Sequence, residues 1–339
     1  MDLHEALFKR VSQRKFREEA MSEKSLNAFL SGLDSIPLLH PEHSLSIRFI
    51  TYGELKTLFP NFYKSVIYAP YFLFFYAEDN EESMQNIGYL GQLSSLWLSC
   101  NGYGSCWQVV KGIEQTVWPE AEKLLRDQEL AKEEARQKEE LELEQKENRE
   151  ISREVLVEES KQLSLDSSSK KESAQISEED DKSLESNNEN KEDIILFPAK
   201  PQEQILAFGI PDNRIKIGRP VSRKKLHSLL ISGSPEPNIA FINLLDAAKA
   251  APSEYNSQPW RFWVTEHCIH VFIKPARIFG SKLRHQNEHI AVGCMLANLI
   301  TQAELGGLNV ELRQEKEPFA PIKELEYVIS IYISDPYDI

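Results

Sequence analysis

The stretch Ala250–Val264, "AAPSEYNSQPWRFWV", decides how this chain is read. A helical pattern from about Asn238 to Ala250 stops at Pro252, which cannot continue it. Small polar residues follow (Ser253, Asn256 and Gln258), then Pro259, then a run with the aromatic and β-branched content of a strand. Trp260–Val264 and Cys268–Lys274 together read as a β-hairpin. Two accounts of the polar cluster are open. It is the local chemistry of a turn, with Trp260 and Trp263 as core, or it is a corner that holds something flat with polar edges.

Working outward, three blocks emerge. Residues 1–118 open with an amphipathic helix carrying Leu3, Ala6, Leu7 and Val11 on one face. A second helix is expected over Ser22–Leu33, with Ser22 as N-cap. A buried strand follows at Ile67–Tyr76, then a helix over Ser83–Cys100 and the turn "NGYGSCW" (Asn101–Trp107). Residues 119–193 differ in kind: helix formers with i,i+4 pairs such as Glu134/Lys138 give way to a Ser/Glu/Asp/Asn/Lys-rich tract too polar to bury a core. This acidic insertion is expected to be partly helical, then disordered. A solvated linker explains it, and a segment that recruits a protein partner is the other reading. Residues 194–339 form the last block. Its opening strand, "EQILAFGIP", is expected to pack with the 203–220 stretch on the first block. A helix over Asn287–Glu304 and a closing strand in "ELEYVISIYIS" complete it.

The outer blocks share a weak internal repeat. "NIGYLGQLSSLWLSCNGYGS" (Asn86–Ser105) aligns without gaps on the segment starting at His289, at an offset of 203 residues, placing Ile87, Leu93, Leu96 and Gly104 over Ile290, Leu296, Leu299 and Gly307. Their matching place in each block points to duplication.

Composition narrows the function. The net charge is −14, but residues 120–193 hold 25 acids against 13 bases, leaving 28 acids and 26 bases elsewhere. The remainder is close to neutral and lacks the basic footprint of a nucleic-acid binder. Its four cysteines form no CxxC pair. The longest apolar run, Ser65–Ala77, is too short to span a bilayer, and the opening "MDLHEALFKR" is charged rather than a secretory signal. A cytoplasmic protein that engages neither membrane nor nucleic acid is expected.

Three further motifs carry candidate chemistry. "RVSQRKF" (Arg10–Phe16) places Arg10 and Arg14 four apart at the end of the first helix, with Ser12 between them. Two guanidinium forks and a hydroxyl suit a phosphate monoester, although cations at a helix C-terminus also complement its dipole. The glycines of "NGYGSCW" permit close backbone approach to a ligand, without a third glycine for a dinucleotide fingerprint. "HQNEH" (His285–His289) spells His-x-x-Glu-His, a zinc-hydrolase spacing, but no third ligand is evident, and no metal site is assigned.

Together these residues resemble the nitroreductase family of FMN-dependent oxidoreductases. "APSEYNSQPWRF" is similar to its Pro-Ser-x-x-Asn-x-Gln-Pro-Trp element, "RVSQRKF" to its Arg-Arg-Ser-x-Arg element, "NGYGSCW" to its Gly-Leu-Gly-Ser-x-Trp turn, and "AFGIPDNRIKIGRP" to its Gly-Tyr-Pro strand with a basic stretch behind it. In the family's usual order the Pro-Ser-x-x-Asn element follows soon after the arginines. Here "SGLDSIPLLHPEHSLSIRF" occupies that place, and the element lies in the other block. The chain therefore resembles the group of the family in which both subunits of the usual homodimer are fused. The resemblance implies an α+β, nitroreductase-like fold of two homologous halves packed as a pseudo-dimer. It also implies a monomer with a single FMN, NAD(P)H as electron donor, and a small-molecule acceptor such as a nitroaromatic or quinone.

By the same resemblance, Arg10 and Ser12 contact the phosphate, and Arg14 lies near the flavin N1/O2 edge. Lys216 or Arg219 adds phosphate charge, and Pro252, Ser253 and Asn256 line the ring. Trp107 and Gln108 lie near the reactive side. No side chain is implied as catalytic acid or base. Glu254, Val11 and Gly218 depart from the family pattern. Glu254, the loss of the family motifs at the reciprocal site and the long insertion favour the alternative of a flavin-free scaffold.

Overall fold

The structure, a computed structural model, describes residues 1–59, 66–110, 138, 200–212, 222–236, 238–275, 282–315 and 322–334. Met1–Glu114 and Phe197–Ile339 form one compact unit, to which the following description applies, and Gln115–Leu196 fall outside it. The expected course of the acidic insertion, Lys138 apart, lies outside the described residues, as do Lys216 and Arg219.

The elements of the first half are α1 (Leu3–Lys9), α2 (Glu23–Leu33), β1 (Leu45–Thr51), α3 (Tyr52–Leu58), β2 (Tyr71–Ala77), α4 (Glu81–Cys100) and β3 (Gly104–Val109). β4 (Lys200–Gly209) follows in the chain but completes the first sheet, whose order is β1-β2-β4-β3 with every pairing antiparallel. The strand after the insertion thus packs on the first half, as expected. The second half contains β5 (Leu230–Ser232), α5 (Ile239–Ala250), β6 (Trp260–Val264), β7 (Cys268–Ile273), α6 (Lys282–Leu305), β8 (Asn309–Arg313) and β9 (Glu326–Ser334). Its sheet runs β5-β6-β7-β9-β8, with β5 parallel to β6 and the rest antiparallel.

Local chemistry explains most boundaries. Ser22 caps α2 by accepting from the Ser25 amide, Asn80 caps α4 through the Ser83 amide, and Asn238 caps α5 through those of Ala240 and Phe241. Thr51 and Glu54 form a reciprocal capping box that turns β1 directly into α3. Each such cap contributes about 1 kcal/mol. All of β2, "YFLFFYA", is buried because the strand is covered on both faces. Leu73 and Phe75 join the main core with Ile87 and Leu90 of α4, while Phe72 and Phe74 meet Tyr52 and Phe59 on the other side.

Two sequence expectations change. α1 ends at Lys9, so Val11 lies beyond it, and Arg10 leaves the helix with φ −57° and ψ 131°. The following stretch is extended, bridging Ser12 to Ser105 and Phe16 to Pro211. Backbone bonds tie it down: Gln13 N to Ser105 O at 2.8 Å, Arg17 N to Ile210 O at 2.9 Å, and Asp212 N to Lys15 O at 3.0 Å. Arg10, Ser12 and Arg14 therefore share a side by the two-residue period of extended chain, not by a helical turn. β2 begins at Tyr71, and β1 and α3 arise in a region where no element was expected.

The repeated segments form the centre of the unit. α4 and α6 are buried around most of their circumference and pack side by side. Successive contacts join Glu81 to His285, Gln85 to His289, Gly88 to Cys294 and Gln92 to Asn298. Both numbers rise together at separations of 204 to 206 residues, close to the repeat offset, so the helices run parallel with equivalent positions facing. Two related halves packed about an axis along the helix pair produce this pattern. Glycine makes the approach possible: a Cβ on Gly88 would lie 2.0 Å from the Ile290 carbonyl oxygen, and one on Gly293 the same distance from that of Gln85.

Candidate functional site

A cavity of about 530 Å³ lies where the extended segment after α1, the end of β3, the turn after α5 and the first turns of α6 meet. That volume is ordinary for a site that encloses a small molecule. Its walls include Arg10, Ser12, Arg14, Trp107, Gln108, Pro252, Ser253 and Asn256, which are all the site candidates from the sequence that the structure describes. Residues separated by more than 230 positions thus converge from both halves. Arg223, Gln204, Asn287, Glu254 and Cys294 also line it, none of them assigned from the sequence.

The turn between α5 and β6 shows how the wall is held. Tyr255, Asn256 and Gln258 have φ values of 48°, 56° and 48°, a left-handed run that non-glycine residues rarely adopt. Its polar side chains compensate. The Ser253 hydroxyl accepts from the Gln258 amide at 3.0 Å, the Gln258 carbonyl oxygen accepts from the Lys224 amide at 2.8 Å, and the Asn256 amide donates to the Ser222 carbonyl at 2.8 Å. Asn256 Oδ1 accepts from the Arg223 guanidinium, whose other nitrogen donates to the Ala250 carbonyl at 2.8 Å. The cluster is therefore turn chemistry with a second consequence: it pins Arg223 in the cavity wall. Tyr255, left 90% exposed, stands at the mouth.

The charge balance favours an anion. Arg10, Arg14 and Arg223 line the cavity, against Glu254 alone among its acidic residues. Burial lowers the pKa of Arg10, whose guanidinium makes no hydrogen bond or ion pair among the described residues. Burial, and next the charge of Arg10, lower that of Arg223 to about 10. Burial disfavours both charges, and Arg10 adds to the depression of Arg223, so a bound anion would relieve them.

Four buried polar atoms of residues that line the cavity have no hydrogen-bond partner among the described residues: Trp107 Nε1, Gln108 Nε2, Gln204 Oε1 and Asn287 Nδ2. Their opposite ends are engaged, with Gln108 Oε1 accepting from the Ile67 amide at 2.8 Å and Asn287 Oδ1 from Gln204 Nε2 at 2.6 Å. Each buried orphan costs about 1–3 kcal/mol unless met. Three donors and one acceptor are thus left without a partner among the described residues, in side chains that also line the cavity. The Trp107 ring stacks on Phe75 at 5.6 Å and lies where a side chain on Gly91 would be, so α4 fixes it. Cys294 is not a reactive thiol here: burial pushes it up to about 12, and its Sγ donates to the Gly88 carbonyl.

With this geometry in place, the comparisons are specific. The family model described as "Putative TM nitroreductase" matches residues 2–130 and 185–303, and the chain belongs to that family. A solved structure, that of a putative nitroreductase from Thermotoga maritima, is similar over 98% of this chain and 94% of its own, at 14% identity and a TM-score of 0.51. The fold is accordingly nitroreductase-like, with the two matched regions falling one in each half. A BluB-like flavoprotein and an FMN-dependent nitroreductase, both from Clostridium difficile, match at 14% and 17% identity. They cover 67% and 66% of this chain and 97% of their own, at TM-scores of 0.35 and 0.33. No curated protein matches. Among the described residues, no helix is long and apolar enough to cross a membrane.

Proposed function

We propose that the cavity binds FMN, a single flavin per chain, and that the chain is an NAD(P)H-dependent oxidoreductase for nitroaromatics, quinones or similar acceptors. What carries the reading is the convergence of three arginines and a hydroxyl, Ser12, on one cavity built by both halves. Arg10, Ser12 and Arg223 would hold the phosphate, since guanidinium forks bind phosphate oxygens in pairs. Arg14, exposed at the wall, remains available to the N1/O2 edge. Trp107, fixed by Phe75 and α4, would exclude water from the inner wall, and Pro252 and Ser253 bound the facing side.

When bound, FMN supplies two-electron transfer from a nicotinamide donor to the acceptor, and the protein contributes position and electrostatics. No acid or base is assigned among the side chains. The filled intrachain interface is consistent with a monomer working in a reducing compartment, and residues 119–193 are proposed as the segment open to a protein partner. A second reading, a flavin-free scaffold, is favoured by Glu254 in the wall and by the turn's hydrogen bonds, which occupy Ser253 and Asn256 internally. The visible spectrum of the purified chain, before and after incubation with FMN and desalting, separates the two. Flavin bands retained at close to one equivalent support the oxidoreductase, and their absence supports the scaffold.

A further inference from the structure

On the other side of α6 from the cavity, four side chains of metal-ligand type meet. Glu81 of α4, His285 and His289 of α6 and Glu326 of β9 each offer one ligand atom, and these four atoms lie within 4.8 Å of one another. The sequence shows only the two histidines, one helical turn apart. The structure supplies the missing donors from 204 residues earlier and 37 residues later. His285 Nε2 lies 3.1 Å from Glu81 Oε1, and His289 Nε2 lies 3.1 Å from Glu326 Oε1. The crossed pairs are at 3.8 Å (His289–Glu81) and 3.9 Å (His285–Glu326), and the two rings sit edge to face at 4.6 Å.

Each carboxylate faces both imidazoles, and each imidazole faces both carboxylates. A neutral imidazole donates from only one nitrogen. Neutral rings therefore leave some of these contacts as lone pair against lone pair, and two carboxylate charges remain without a fixed cation in the group. A divalent ion at the centre supplies that charge and uses the lone pairs. The spacing suits it: donors about 2.0–2.1 Å from zinc in a tetrahedron sit about 3.3 Å apart, close to the shortest pairs here. The His289 side chain is 1% exposed, whereas those of Glu81, His285 and Glu326 are 50%, 43% and 30% exposed. One ligand is thus fixed, and three have room to close in from the solvent side. The Gln85 amide lies 3.3 Å from His289 Nδ1. Turned about, it would accept that ring's N–H and leave Nε2 free for the ion, the outer support that metal-bound histidines commonly have.

We propose that Glu81, His285, His289 and Glu326 form a binding site for a divalent transition-metal ion of the zinc class, joining α4 of the first half to α6 and β9 of the second. Two imidazoles with two carboxylates suit zinc and its first-row neighbours better than calcium or magnesium, which prefer all-oxygen shells, or copper(I), which prefers sulfur. The ion lies away from the cavity, which α6 lines with Asn287, Ile290 and Cys294 on its other side. Its part is to hold the two halves together.

The test uses the full chain stripped with a chelator and dialysed, then titrated with Zn²⁺ by calorimetry, with Tm followed in parallel. The expected result is about one Zn²⁺ per chain with a rise in Tm. Both effects should be weakened at least about tenfold in affinity by H285A and by E326Q, and left unchanged by H267A, an exposed histidine elsewhere. H285A and E326Q carry the test because both side chains are partly exposed, whereas H289A empties a buried position. Substitution with Co²⁺ excludes the cysteines, since thiolate ligation adds an intense near-ultraviolet band. Uptake below about a tenth of an equivalent, uptake indifferent to both variants, or a thiolate band would overturn the proposal. None of these outcomes depends on whether flavin binds.

Discussion

Arg10→Met should make the ligand-free chain more stable while it weakens the hold on phosphate. Methionine keeps the unbranched stem of arginine and removes the charge, so packing changes little. The Arg10 guanidinium is desolvated and makes no hydrogen bond or ion pair among the described residues. Its charge also helps to lower Arg223 from 12.5 to about 10. For Arg223 alone that depression would correspond to roughly 3 kcal/mol against its charged form in a fully buried site, and solvent screening of this half-buried side chain reduces it to about 1–2 kcal/mol, with burial the larger part and Arg10 the remainder. The sign is that of a base disfavoured by folding: the penalty is fully present at neutral pH and fades only as pH rises through the folded value near 10. Removing Arg10 relieves its own desolvation and part of its neighbour's, about 1–3 kcal/mol together. For a unit of this size that is a Tm increase of roughly 2–8 °C. Thermal unfolding at pH 7.5 in phosphate-free buffer measures it. Binding should move the other way. FMN affinity should fall about 10–100-fold, as expected for a lost charged hydrogen bond, while riboflavin, which lacks the phosphate, should bind as before. A lower Tm for the ligand-free variant, or equal losses for FMN and riboflavin, would refute the reasoning.

Two other expectations are simpler to read. G293A forces a methyl group to within 2.0 Å of the Gln85 carbonyl unless α4 and α6 separate, so it should lower stability by about 1–3 kcal/mol or more, measured by urea unfolding. An unchanged midpoint would mean that the helix pair is looser than described. Burial raises the pKa of all four cysteines, to about 12 for Cys294 and about 11 for Cys268. At pH 8 these remain thiols, so the three buried cysteines should react with a disulfide reagent only on unfolding, and half-buried Cys100 should react first. Rapid labelling of Cys294 in the native chain would contradict its enclosure.

The sequence by itself determined the parts that rest on near neighbours. The cap at Ser22, the strand in "YFLFFYA", the hairpin after Pro259 and the two repeated helices follow from residue type and periodicity. Such signals act within a few positions and survive in any tertiary setting. The family elements were legible for a related reason: "PSEYNSQPW" combines a left-handed turn with the side chains that hold it, all within one stretch. Tertiary structure decided the rest. The segment after Lys9 has the spacing of a helix face, yet it lies extended because its amides bond to Ser105 and Ile210, partners far along the chain. Arg223 has no motif of its own, and it belongs to the cavity because Asn256 and the end of α5 draw it there. The pairing of His285 and His289 with Glu81 and Glu326 depends on the parallel packing of α4 and α6, which is possible only because Gly88 and Gly293 lack side chains. Local sequence records which bonds a residue can make. Which of them it does make was settled where the two halves meet.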